Sequence, residues 1–427
     1  MSTQQDSNAG DVVDHLRTYL KEHPDVFTAF ELGVQIALRI NVPQLKQFHI
    51  HNLNDYLNFY ERLLHWIPTE TFDGKNVYYH LCLFYFILDL SPIKSLQTPI
   101  LPISKQPWTW LSNWIIKFAK AMGSNLDKPE SLTKASLQTF YKSPIYRMED
   151  YPKRDWKSFN EFFAREINPA LRPIDVPSDP TVIVSPADSV FDGAWPIEKN
   201  SVVFLKYIPW HIQQLLDDSK YKNEFGGGVF THSFLAPHDY HRQHAPVPGI
   251  VREARVIPGL CYLEVEAVTD ESGNTSLSMR RGLPAPLLGR GAPKGTGGAA
   301  YTGSDISAPD TPGYQFLQAR GLIVIDNPTI GLVAVLPIGM AQVSSVKLTV
   351  TCEQKVKKGD EISYFQCGGS DCVMVFQQKA NVQFTATLGQ HYNFGNQVAQ
   401  AFPNQPPHDD LVHAPEHSEH PNSPLDH

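Results

Sequence analysis

The chain is poor in charge, has no excess of positive charge and has no long apolar run. Charged residues make up 19% of its 427 positions, below the roughly 25% usual in soluble domains. With 36 Lys and Arg against 44 Asp and Glu, the net charge of -8 gives no broad electrostatic grip on nucleic acid or anionic lipid. A nucleic-acid partner is therefore not expected. The cysteines are Cys82, Cys261, Cys352, Cys367 and Cys372, an odd set with no C-x-x-C unit, which removes both a disulfide scaffold and a zinc module. Reduced thiols in the cytosol fit best. The most apolar run, Leu81 to Leu90, is half the ~20 residues needed to span a bilayer and contains Asp89, so no integral membrane segment is expected. The opening MSTQQDSNAGDVVDHL lacks an apolar h-region and an Arg-rich amphipathic stretch, so it reads as neither a secretory signal nor a transit peptide. The location these features imply is cytoplasmic.

Apolar residues, at 42%, and 34 prolines are what the chain does have. That is core enough for one large or two ordinary domains, with many ordered turns. Residues 1–10 are polar and predicted disordered, as is the Pro-, His- and acid-rich tail at 403–427. Between 11 and 165 apolar residues recur at helical spacing, as in Leu53, Tyr56, Leu57, Tyr60, Leu63 and Leu64, which predicts a helical N-terminal domain. In it, Trp108, Trp110, Leu111, Trp114, Ile115, Phe118 and Met122 form a stripe that packs on a core in preference to a membrane surface.

From 166 to 402 the texture changes to short β-branched runs at 181–185, 249–257, 322–325, 330–337, 343–351 and 373–376. The expected fold class is α+β, a helical region followed by a β-rich catalytic domain. Residues 282–313 break that domain with a Gly- and Pro-rich stretch, read as a lid or a disordered insertion. Its GRGAPKGTGG has the order Lys-Gly-Thr and no strand before it, so it is not a phosphate loop.

Three segments concentrate chemistry. VSPADSVFDG (184–193) delivers Asp188 onto a turn, where a lone aspartate is ordinarily a cap. FLAPHDYHRQHAPVPG (234–249) places His238, His241 and His244 three residues apart, and Pro237, Pro246 and Pro248 favour a turn or extended loop over a helix. A shared metal ion is the competing use of such imidazoles. KKGDEISYFQCGGSDCVMVF (357–376) makes a turn at Lys358-Gly359-Asp360 and a strand through Phe365, then sets Ser370 behind Gly368 and Gly369. Small neighbours let a base and backbone donors approach that hydroxyl, although a Gly-Gly bulge between strands is the plain alternative. Cys367 and Cys372 read as buried small apolar residues. Asp188, His244 and Ser370 thus supply an orienter, a base and a nucleophile in chain order. Without the downstream Gly of G-x-S-x-G a serine hydrolase is disfavoured, which leaves attack by Ser370 on its own backbone.

Taken with FFAREINPALRPI (162–174), APHDYHRQHAPVPG (236–249) and LPIGMAQVSS (336–345), these segments resemble the phosphatidylserine decarboxylase family over about residues 155–385. The resemblance implies a proenzyme that cleaves itself between Gly369 and Ser370, after which Ser370 becomes a pyruvoyl group and the two cleaved chains stay partners. It implies that His244, held by Asp188, takes the proton from Ser370, and that His241 assists decarboxylation as an imidazole partly charged near pH 7. The pyruvoyl ketone would condense with a substrate amine and accept the electron pair released as carbon dioxide leaves. Two positions depart from the family pattern: Ser189 stands where Gly is usual, and Asp371 follows Ser370 where Thr or Ser is usual. Asp371 would either repel an anionic group or bind the substrate amine.

The helical N-terminal region looks like that of a soluble fungal branch whose members decarboxylate free aromatic amino acids such as tryptophan. The expected substrate is accordingly a free L-amino acid, with Tyr207, Trp210 and Tyr240 as candidate pocket residues, and phosphatidylserine is the alternative. The KKGDEISYF hairpin also resembles biotinyl or lipoyl carrier domains, which keeps a non-catalytic carrier or scaffold open.

Overall fold

A computed structural model describes residues 9–205, 208–279, 313–339, 345–367 and 370–405. Among these, every helix longer than eight residues lies before residue 143 and every strand after residue 181. The helical part is built on α1 (Ala9–Glu22), α2 (Pro24–Ile40), α3 (Leu53–Leu64), α4 (Asn76–Leu88) and α5 (Trp110–Leu126). Asn52 caps α3 by accepting the Asp55 N–H, and Thr109 caps α5 by accepting that of Ser112, so polar side chains fix both starts. α4 is apolar all round and buries every residue from Leu81 to Leu88, as a helix at the centre of a bundle must. The tryptophan stripe on α5 faces the core as expected. Trp114, Phe118 and Met122 are buried, and the Trp114 indole donates to the Val12 carbonyl at 2.7 Å.

The β-rich part carries β1 (Ser189–Pro196), β2 (Val229–Leu235), β3 (Arg242–His244), β4 (Gly249–Ile257), β5 (Arg320–Asn327) and β6 (Gly331–Ile338). It continues with β7 (Val346–Leu348), β8 (Lys355–Val356), β9 (Glu361–Phe365), β10 (Ser370–Phe376) and β11 (His391–Tyr392). An antiparallel eight-stranded sheet has the order β8-β4-β5-β6-β10-β2-β1-β11, and a small sheet has the order β7-β9-β3. β5 and β6 are buried almost without alternation, so the large sheet is covered on both faces. One apolar core runs from the helices into this sheet. A hairpin of Val265–Thr269 and Thr275–Met279 ties the two parts together, its Met279 N–H donating to the Tyr78 hydroxyl and its Val265 N–H to the Asp89 carboxylate, both at 2.8 Å.

The architecture is α+β, as the sequence predicts. The strand at 249–257 matches residue for residue, whereas β1 and β2 were not anticipated, because SVFDGAWP and VFTHSFL mix Gly, Asp, His and Ser into their apolar pattern. α1 begins at Ala9, inside the stretch predicted disordered. The remainder of that stretch, the tail from 406, the Gly/Pro-rich stretch up to residue 312, Tyr207, residues 340–344 and the Gly368-Gly369 pair lie outside the described residues.

Candidate active site

β10 lies near the middle of the large sheet, where its apolar VMVF run is paired along its length with β6 on one side and β2 on the other. Its first residue, Ser370, stands opposite Leu235 at the end of β2. Beyond Leu235 the chain turns through Ala236–Tyr240 and enters β3, which pairs with β9, and the Phe365 N–H donates to the His241 carbonyl at 2.9 Å. One stretch of chain, 229–244, therefore grips the strand before Gly368-Gly369 and the strand after it, and it carries all three motif histidines. The expected turn is present, with Pro237 at its start and β3 at its end.

His244 is 7% exposed and held at both ring nitrogens. Nδ1 lies 2.8 Å from the Gly359 carbonyl, which can only accept, so Nδ1 carries the proton and Nε2 is the basic atom. The Tyr240 hydroxyl donates to that Nε2 at 3.1 Å. The Gly359 turn has φ of +86°, and a Cβ there would run into the Ile174 side chain, so glycine is required where the carbonyl must reach the ring. Burial lowers the His244 pKa to about 4 despite the Gly359 hydrogen bond, which leaves a neutral imidazole at neutral pH. Tyr240 is itself buried and stays protonated, its pKa raised by desolvation and by the charge of Glu361.

Asp188 does not hold His244. Its carboxylate takes the Arg172 guanidinium, with Nη2 at 2.5 Å from Oδ2, and the Phe394 N–H at 2.8 Å on Oδ1. Burial pushes the Asp188 carboxyl above its ordinary range, and Arg172 and the Phe394 N–H pull it back. The link to the histidine runs through Phe394, whose ring stacks on His244 at 3.7 Å with an interplanar angle of 4°. Arg172 lies in the FFAREINPALRPI segment, Asp188 in VSPAD and Gly359 before the cleavage motif, so the motifs that are scattered in sequence meet around one imidazole.

His241 is fully buried and stacks on Phe163 at 3.9 Å. Its Nε2 faces the Pro237 carbonyl at 3.2 Å, which leaves Nδ1 as a buried lone pair with no hydrogen-bond partner among the described residues. Burial, reinforced by the nearby Arg165, lowers its pKa to about 3. The expectation of a partly charged imidazole is thus corrected toward a neutral ring, because burial and Arg165 outweigh the opposing charge of Asp239. His241 and His244 turn toward different aromatic faces, Phe163 and Phe394, and among the described residues no group of three or more His, Cys, Asp and Glu side chains could hold a metal ion.

Asp371 is fully buried. Its Oδ2 accepts the Tyr314 hydroxyl at 3.0 Å and faces His232 Nε2 at 3.5 Å, so the carboxylate is engaged by side chains inside the protein. His232 was missed because its neighbours in sequence are Thr231 and Ser233, and only strand pairing brings it to Asp371. Of the candidate pocket aromatics, Trp210 is fully buried against Phe316 and belongs to the core. Tyr240 lines a cavity of about 290 Å³ with Tyr146, Tyr151, Arg172, Asp188, Asp239 and His391. Cys367 and Cys372 are buried and unbridged, and burial pushes the Cys367 thiol up to about 12, which keeps it inert.

Residues 159–400 match the model of the family described as phosphatidylserine decarboxylase. Relatives include decarboxylase iboD of Amanita muscaria, 31% identical over 59% of this chain and 67% of that protein. Phosphatidylserine decarboxylase proenzyme 3 of Schizosaccharomyces pombe is 30% identical over 53% of this chain, which spans only 20% of that longer protein. The phosphatidylserine decarboxylase proenzyme of Fusobacterium nucleatum is 29% identical over 63% of this chain and 74% of that protein. The class is that of self-processing carboxy-lyases working with a pyruvoyl group made from their own chain. This chain belongs to the phosphatidylserine decarboxylase family. The carrier and scaffold readings fall away, and no helix of the described residues is long and apolar enough to cross a membrane.

Proposed function

We propose that the chain cuts itself between Gly369 and Ser370, converts Ser370 into the pyruvoyl group and uses it to remove the α-carboxylate of a free L-amino acid, aromatic ones among them, in cytoplasmic specialised metabolism. The observation that carries this reading is the 229–244 stretch, which pairs with the strands on both sides of the Gly369-Ser370 bond and bears the histidines. His244 enters the cut as a neutral base. Its Nε2 takes up the Ser370 hydroxyl proton, either after Tyr240 gives way or through the Tyr240 hydroxyl, and the freed oxygen attacks the Gly369 carbonyl. The amide is exchanged for an ester; elimination then releases the Gly369 carboxylate, and hydrolysis releases ammonia and leaves the ketone. The pyruvoyl group supplies an electron sink for decarboxylation. Asp188 and Arg172 act as positioning residues, fixing the segment that bears Phe394 and thereby the plane of the His244 ring. His241 offers a bare Nδ1 at which a proton can be picked up or returned.

A cavity of about 290 Å³ opens beside Tyr240, near the lower limit of small-ligand pockets and too small for a whole phospholipid; its wall carries the Arg172–Asp188 and His391–Asp239 pairs, while Ser370, His241 and His244 are not part of it. Phosphatidylserine is the second reading, favoured by the names of the bacterial and yeast relatives. The test is intact mass spectrometry under denaturing conditions of the protein and of Ser370→Ala, followed by carbon dioxide release from free amino acids and from phosphatidylserine vesicles. A small chain starting at residue 370 with a borohydride-reducible carbonyl, and turnover of free amino acids alone, is the expected result. An uncut wild-type chain overturns the reading, and turnover confined to vesicles replaces the amino acid by the lipid.

A further inference from the structure

The residue after Ser370 opens a buried charged network that the cutting chemistry does not use. Asp371 is flanked on β6 by Ile338 and on β2 by Phe234, while His232, opposite Val373, is its diagonal neighbour across the β2–β10 pair. On its other side His232 Nδ1 lies 2.8 Å from Asp192 Oδ2. Asp192 sits where the β1–β2 register shifts between Phe191 and Gly193, an extra residue whose side chain the bulge aims at the histidine. Tyr314, whose hydroxyl donates to Asp371, follows Gly313, whose φ of +92° and close approach to the Trp210 ring leave no room for a Cβ. The His232 and Asp371 side chains are both 0% exposed and that of Asp192 is 17% exposed.

Buried ion pairs add little stability over apolar side chains of the same size, so this one calls for another role. Breaking the 369–370 bond would remove the covalent hold on one side of residue 370, leaving backbone pairing and the anchor at its only remaining covalent neighbour. We propose that His232 and Asp371 form a positioning pair that holds residue 370 in place after the cut, with Asp192 and Tyr314 fixing the pair. This rests on Ser370 being the processed residue. Burial alone would depress the His232 pKa, but Asp371 and Asp192 override it and push it up to about 9, so on the alkaline side the pair slackens above that pH. Among the described residues, Asp192 on β1 faces the pair from the His232 side and the Tyr314 hydroxyl from the Asp371 side.

The test uses the full chain and phenylhydrazine, which reacts with the pyruvoyl carbonyl without turnover. The rate of adduct formation on the small chain is followed by mass spectrometry from pH 6 to 10, alongside the extent of processing. Wild type should react slowly until the pH passes about 9 and faster beyond it. Asp371→Asn and His232→Gln should process yet react at least about tenfold faster at neutral pH, with the alkaline step gone. Asp192→Asn, a milder change at the wetter end, should keep the slow neutral rate and move the step to lower pH, which keeps the idea testable if the buried variants fail to fold. Processed variants with the wild-type rate and profile overturn the pair. Folded variants that stay uncut place it in the cutting step and overturn a role after the cut. A wild-type chain that never yields the small chain overturns the Ser370 reading, and the pair with it.

Discussion

The helical part and the β-rich part bury their side chains to different ends. Around α4 and α5 the interior is Leu, Phe, Tyr and Trp, with polar groups kept mainly to caps and single hydrogen bonds. Around β10 the interior takes in Arg172, Asp188, His232, His241, His244 and Asp371, all at most 7% exposed. Desolvating ionisable groups costs several kcal/mol each unless they are paired. The first interior maximises stability, and the second sacrifices some of it to set protonation states. Even within the second, burial has opposite outcomes: two histidines without carboxylate partners are held neutral, and one between two aspartates is held charged.

The sharpest way to break this contrast is at Ser370. Ser370→Ala should abolish both cleavage and decarboxylation, read as a single uncut mass and no carbon dioxide release; full activity in the uncut variant would end the pyruvoyl mechanism. His241→Ala should next separate the two steps, leaving cleavage intact while lowering kcat by about 10²–10⁴-fold. Loss of cleavage in that variant would show His241 to serve the cut. Phe118→Ala, in the helical interior, should cost about 3–5 kcal/mol in denaturant unfolding of the uncut Ser370→Ala background. In the otherwise wild-type chain the same change should leave turnover per folded, processed molecule unchanged, and a fall would show that the first interior also tunes the site.

The smallest effect is in pH. His241 and His244, held at about 3 and about 4 against 6.5 for an ordinary histidine, bind protons later than the unfolded chain does, so stability should drop as pH falls from 6.5 toward 4. His232 has the opposite sign. Its contribution is complete below 6.5 and is lost as pH rises through about 9. Thermal midpoints should therefore form a dome, and His232→Gln should flatten only its alkaline side. A wild-type midpoint that does not fall between pH 6.5 and 4 would contradict the neutral burial of the other two rings.

What could be read from sequence was local. The helical period of α3, the β-branched ends of β4, the Pro-framed histidine turn and the Gly359 turn are each written in neighbouring residues. Pairings between distant segments are not: the chain order suggests Asp188 for His244, and nothing in VSPAD signals that Arg172 claims the carboxylate first. Tyr240 stands out in sequence only as an aromatic beside a motif, and its hydroxyl on His244 Nε2 depends on the fold of the loop. His232 was invisible because a polar residue in a β-branched strand carries no mark until its cross-strand neighbour is known.

The central place of β10 gives the proposed cut a thermodynamic direction. Before it, folding is a unimolecular search by one covalent chain. After such a cut the strand between β6 and β2 would belong to a separate molecule, and reassembly would become second order in concentration, with loop closure replaced by encounter. An enzyme processed in this way should refold poorly after denaturation at concentrations where its uncut Ser370→Ala form recovers, which makes the mature protein's lifetime a matter of its unfolding rate.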